Sequence, residues 1–126
     1  MEEGCKVDFE RTPAGVLRAE VAGLRSVAST IGYWEAILAQ VREAKPTGLL
    51  VIDGLVGEEL SASEWKTLVV HVQEDGALAD VPIAHVKPFS FDQINYCERY
   101  ANEAGLAAHA FRREPDAVAW LQARAG

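Results

Sequence analysis

The sequence predicts a single α/β domain over residues 1–126, built on a mixed five-stranded sheet. An N-terminal antiparallel hairpin feeds parallel strands that alternate with helices. Three observations predict it. Two early segments alternate with period two, later apolar runs show no alternation, and segments of helical period separate those runs. No repeat, low-complexity stretch or long linker divides the chain.

In "KVDFER", Val7 and Phe9 fall on one side and Lys6, Asp8 and Glu10 on the other, as in a half-buried strand. "TPAG" supplies a turn, and "VLRAEVAG" sets Leu17, Ala19 and Val21 opposite Val16, Arg18 and Glu20. The first helix is expected within "SVASTIGYWEAILAQVREAKPTG". Ile31, Trp34, Ile37, Leu38 and Val41 form its apolar stripe, and Pro46 and Gly48 stop it. "LLVID" then reads as a central strand covered on both faces.

A second helix opens at "ELSASEWKTL", burying Ala62, Trp65, Leu68, Val69 and Val72. "VPIAHVK" is a fourth strand. "SFDQINYCERYANEAG" is a third helix, buried along Ile94, Cys97, Ala101 and Ala104, with Gly105 at its stop. "LAAHAF" is a fifth strand, and Pro115 sits in the first turn of a last helix carrying Ala117, Trp120 and Leu121.

Composition narrows the function. Apolar residues make up 49% of the 126 and charged residues 25%, the balance of a folded globular chain. A formal net charge of −7 with no Lys/Arg cluster argues against nucleic acid and acidic lipid surfaces. "MEEGCKVDFE" lacks the basic and apolar regions of a signal peptide, and no apolar run reaches the length of a membrane span. A cytoplasmic location is expected, with Cys5 and Cys97 reduced.

From Tyr33 to Leu121 the pattern resembles the SpoIIAA-like STAS family, the fold of anti-sigma-factor antagonists. "YWEAILAQVREAKPTGLLVID" is similar to that family's first helix and central strand, and "GLAAHAFRREPDAVAWL" to its last strand and terminal helix. In partner-switching members an Asp-Ser-Ser-Gly element opens the helix after the central strand, and its second serine is phosphorylated. Setting Asp53 against the strand-end aspartate of that family places Ser61-Ala62-Ser63-Glu64 on the element. The resemblance implies that Ser63 takes the phosphoacceptor's place, although Ser61, Ala62 and Glu64 each differ from the motif.

The same residues have a structural reading. Ser61-x-x-Glu64 is the spacing of a capping box, in which each side chain accepts from the other residue's backbone N–H. Ser90-x-x-Gln93 repeats that spacing before the third helix.

Ligands and partners of open α/β sheets meet the loops at the carboxyl ends of the parallel strands. Here those loops bring Asp53, Leu55, Val56, Glu58, Glu59, Ser61 and Ser63 together with Lys87, Phe89, Ser90, Phe91 and Asp92. The large apolar members either plug the end of the sheet or form an interface ringed by acids. His71, His85 and His109 have no ligand-like spacing, so no metal is expected, and each reads as a surface or strand-face residue. Asp53 has no second acid, base or nucleophile at a defined spacing, so catalysis is not expected. Cys97 reads as a small apolar filler, and no cofactor is implied.

The expected function is a non-catalytic, regulatory protein-interaction module binding through these loops. Its partner is another protein, or a second copy engaged through Tyr33, Tyr96 and Tyr100. The alternative is a carrier or sensor of a small lipid-like ligand held between sheet and helices. The likeness of the STAS fold to CRAL-TRIO-type lipid carriers suggests it.

Overall fold

A computed structural model describes residues 5–58, 60–88 and 96–125, the last span without the side chains of Tyr96, Cys97 and Ala125. It begins with β1 (Cys5–Arg11) and β2 (Val16–Leu24), paired antiparallel with Val7 opposite Val21 and Phe9 opposite Ala19. Gly15 closes the connecting turn at φ +86°, a conformation that glycine takes without cost, and its N–H donates to the Thr12 carbonyl at 2.9 Å.

Helix α1 (Val27–Ala44) starts on a capping box between Ser26 and Ser29 and ends where Lys45 turns left-handed before Pro46. Strand β3 (Gly48–Val56) pairs parallel with β2, and α2 (Ala62–Asp75) follows it. Strand β4 (Ile83–Val86), α3 (Tyr96–Glu103), β5 (Ala108–Phe111) and α4 (Glu114–Ala125) complete the chain. The sheet order is β1-β2-β3-β4-β5, with every pair after the first parallel.

The sheet divides the interior into two layers. On one face Leu17, Ala19 and Val21 of β2, Leu49, Val51 and Leu55 of β3, and Ile83 of β4 pack against α1, α2 and Ala101 of α3. On the other, Leu50, Ile52, Ala84 and Val86 pack against Ala117 and Leu121 of α4. The un-alternating runs of β3 and β4 are therefore strands covered twice, whereas β2 shows the alternation of a strand covered once. On its uncovered side Arg18 donates to both carboxylate oxygens of Glu114 at 2.8 and 3.1 Å, joining β2 to the start of α4.

Two expectations change, and a third falls outside the described residues. Ile31 is 41% exposed, because α1 turns Thr30, Tyr33, Trp34, Ile37, Leu38 and Val41 inward and leaves Ile31 on the flank beside α2. Tyr33 is buried, so it adds no aromatic surface. The third helix is described only from Tyr96, so its expected cap at Ser90 and Gln93, and its expected buried residues Ile94 and Cys97, lie outside the described residues or side chains.

Candidate functional site

The parity that sends Leu49 and Val51 toward α1 sends Asp53 the same way, and the carboxylate has no solvent exposure. Its Oδ1 accepts from Arg25 Nη2 at 2.9 Å and from the Leu55 N–H at 3.1 Å. Its Oδ2 accepts from the Tyr33 hydroxyl at 2.9 Å and lies 3.4 Å from Nε2 of His85. Burial pushes the Asp53 pKa up. The His85 hydrogen bond and charge, the Arg25 guanidinium and the Tyr33 hydroxyl together outweigh it, holding the carboxyl well below the usual carboxylate range.

This network gathers a loop, a helix and two strands. Arg25 comes from the β2–α1 connection, Tyr33 from α1, Asp53 from β3 and His85 from β4. Trp34 and Trp65 stand edge-on to the His85 ring, with centroids 5.9 and 6.4 Å away. Lys87, buried just past β4, holds its Nζ 5.0 Å from the centre of the Trp65 ring. His85 is thus a strand-face histidine, as expected, on the side of β4 covered by α1 and α2 and buried there. A charge inside a strand that reads as apolar on both faces has to be paired, and "LLVID" carried that signal.

On either side of Arg25 in the chain, and across to β3, apolar side chains are exposed. Leu24 and Val56, neighbours across β2 and β3, are 65% and 45% exposed, and Val27 and Ile31 of α1 are 40% and 41% exposed. The Arg25 N–H donates to the Val56 carbonyl at 2.7 Å, so the residue that reaches Asp53 also ties down the loop between Leu24 and Val27. Val27 and Ile31 continue into an open groove of about 420 Å³ between α1 and α2, which also includes Leu60, Leu68 and Ser63.

The predicted site residues separate accordingly. Val56, Glu58, Ser61 and Ser63 are exposed at this end of the molecule. Asp53 and Leu55 are not presented to a partner: Leu55 is 1% exposed because its position in β3 turns it into the core, and Asp53 is the hub of the buried network. Glu59, Phe89, Ser90, Phe91 and Asp92 lie outside the described residues. Ile31 was missed because helical periodicity assigned it to the core, and Leu24 and Val27 because they lie between the strand and the stripe that the periodicity marked.

The start of α2 has the predicted cap. The Glu64 N–H donates to Ser61 Oγ at 3.2 Å, and the Ser61 N–H donates to Glu64 Oε1 at 2.8 Å. Ser63 takes no part in that exchange. Its hydroxyl is exposed, 3.3 Å from that of Ser61, on the flank facing the groove.

Between sheet and helices lies a cavity of about 30 Å³, walled by Trp34, Trp65, His85, Glu98, His109 and aliphatic side chains. Pockets that hold small-molecule ligands measure roughly 300–1,000 Å³, well above this cavity, and an open pocket of about 570 Å³ lies on the other face of the sheet, where Val16 and Leu50 meet Val118 and Leu121 of α4. No group of three or more potential metal ligands occurs among the described residues, and no helix among them is long and apolar enough to cross a membrane.

No protein-family model matches the chain, and no curated protein matches it at significance. The solved structure of RsbS from Moorella thermoacetica, in a variant with a serine replaced by glutamate, does match. The two share 15% sequence identity with a TM-score of 0.57, over 95% of this chain and 97% of that one. RsbS is a STAS-domain protein. An antiparallel hairpin leading into a parallel β-α series, matched over nearly the whole length of both chains, gives this protein the SpoIIAA-like STAS fold.

Proposed function

We propose that the protein is a regulatory protein-interaction module of the STAS type, acting by binding and not by catalysis. One observation carries the reading. Leu24, Val27, Ile31 and Val56 are four of the five large apolar side chains left exposed among the described residues, and they gather at one end of the sheet. Exposed apolar area concentrated in one place marks an interaction surface, whereas scattered single residues do not.

Two further features support it. Asp53, the carboxylate best placed to serve as a catalytic acid, is sealed from solvent and spends both oxygens on internal partners. Ser63 lies beside the apolar surface with its hydroxyl exposed, where a phosphate added by a partner kinase would change the charge of the binding face. The partner is another protein of the cytoplasm.

The test compares the wild type with a Leu24→Asp, Val56→Asp chain, each immobilised and exposed to lysate of the source organism. Proteins held by the wild type and lost by the variant, with both chains melting alike, support the reading. Identical capture by both removes this surface as the binding face.

A further inference from the structure

The groove between α1 and α2 has a shape and a charge that select its occupant. Its walls run from Val27 to Glu35 on α1 and from Ser63 to His71 on α2, about 12 Å of each helix, or two turns. Val27, Ile31, Leu60 and Leu68 supply its apolar surface. Glu35 and Glu64 stand on opposite walls, no lysine or arginine lines it, and Glu35 contacts His71 across the far end.

We infer that this groove, the extension of the binding face proposed above, takes an amphipathic helix of two to three turns, apolar on the docked face and basic on its flanks. The inference rests on that reading and specifies its partner. A third helix laid against two neighbouring ones buries residues at i, i+3, i+4 and i+7, and Val27 and Ile31 form an i, i+4 ridge for it to meet. The carboxylates of Glu35 and Glu64 would face its flanks from either side. A chain of net charge −7 adds attraction for a basic helix over the whole approach and repels an acidic one. An acyl chain or a flat apolar surface would gain nothing from charge on both walls.

The experiment titrates the full chain into fluorescein-labelled synthetic helices of about three turns, read by anisotropy. One carries leucines at the docking spacing among lysines, a second the same leucines among glutamates, and a third alanines among lysines. The leucine–lysine helix is expected to bind about tenfold or more tighter than either control. Ile31→Lys is expected to remove that advantage while the chain melts as before. Equal binding of the alanine–lysine helix, or undiminished binding to Ile31→Lys, would show attraction to net charge alone and overturn the groove. Equal binding of the leucine–glutamate helix would overturn the basic partner. If no helix binds while Leu24→Asp, Val56→Asp still costs the protein its captured partners, this inference fails and the interaction reading survives. If both experiments are negative, both fail.

Discussion

The guanidinium of Arg25 meets the carboxylate of Asp53 at 2.9 Å, and neither side chain has any solvent exposure. A pair withdrawn this far from water repays its desolvation only with good geometry and further hydrogen bonds, which Tyr33 and the Leu55 N–H supply. Removing one member leaves the other charged and buried, so Asp53→Ala is expected to lose about 3–5 kcal/mol in urea unfolding. Replacing both ends by apolar side chains, Arg25→Met with Asp53→Leu, should cost clearly less than the sum of the two single changes. A sum that is simply additive would mean that the pair carries no coupling.

Acid should reach the same pair. The Asp53 carboxyl is held below its ordinary value, so folding favours its ionised form. Its contribution is complete above the unfolded aspartate value of about 4 and fades as pH falls through the lower folded value. Glu114 is displaced in the same direction, chiefly by its hydrogen bond to Arg18, but partial exposure weakens its share. The urea midpoint of the wild type is therefore expected to fall steeply below about pH 4, and that of Asp53→Asn to fall less. Parallel curves for the two chains would detach the acid response from Asp53.

Most of the architecture was legible because periodicity reports burial. Leu17, Ala19 and Val21 alternate since β2 is covered on one face, and "LLVI" does not since β3 is covered on both. Periodicity fails where a polar residue stands in the stripe. Thr30, Tyr33, Trp34, Ile37, Leu38 and Val41 hold the helical spacing, which leaves Ile31 on the flank, and the buried Thr30 hydroxyl is satisfied by the Ser26 carbonyl at 2.8 Å. The network around Asp53 was illegible for another reason. Its members come from positions 25, 33, 53 and 85, and only the parallel pairing of β3 with β4 brings the last two together. Ser61 and Glu64 needed no such knowledge, since a capping box is complete within four residues.

Ser61 and Ser63 should accordingly behave differently. Ser61→Ala removes the oxygen that accepts the Glu64 N–H and is expected to cost about 1 kcal/mol. Ser63→Ala removes an exposed hydroxyl outside the cap and should stay within about 0.5 kcal/mol of the wild type. In a binding assay the order should invert: Ser63→Asp, which adds charge beside the groove, should alter partner affinity more than Ser61→Ala does. If Ser63→Asp moves only the melting temperature, Ser63 belongs to the helix start and not to the binding face.

The sharpest separation of fold from face lies in two adjacent residues. Leu55 and Val56 are consecutive in β3, so their side chains leave the strand in opposite directions, and one is 1% exposed while the other is 45% exposed. Leu55→Asp would bury a second carboxylate beside Asp53 with no added cation, and the chain is expected to lose its cooperative melting transition. Val56→Asp places the same charge in solvent and should melt within a few degrees of the wild type. Neither variant would bind the partner, the first because it does not fold and the second because its surface has changed. Circular dichroism recorded beside the binding assay tells these causes apart. A folded Val56→Asp chain with unaltered affinity would move the partner away from this end of the sheet.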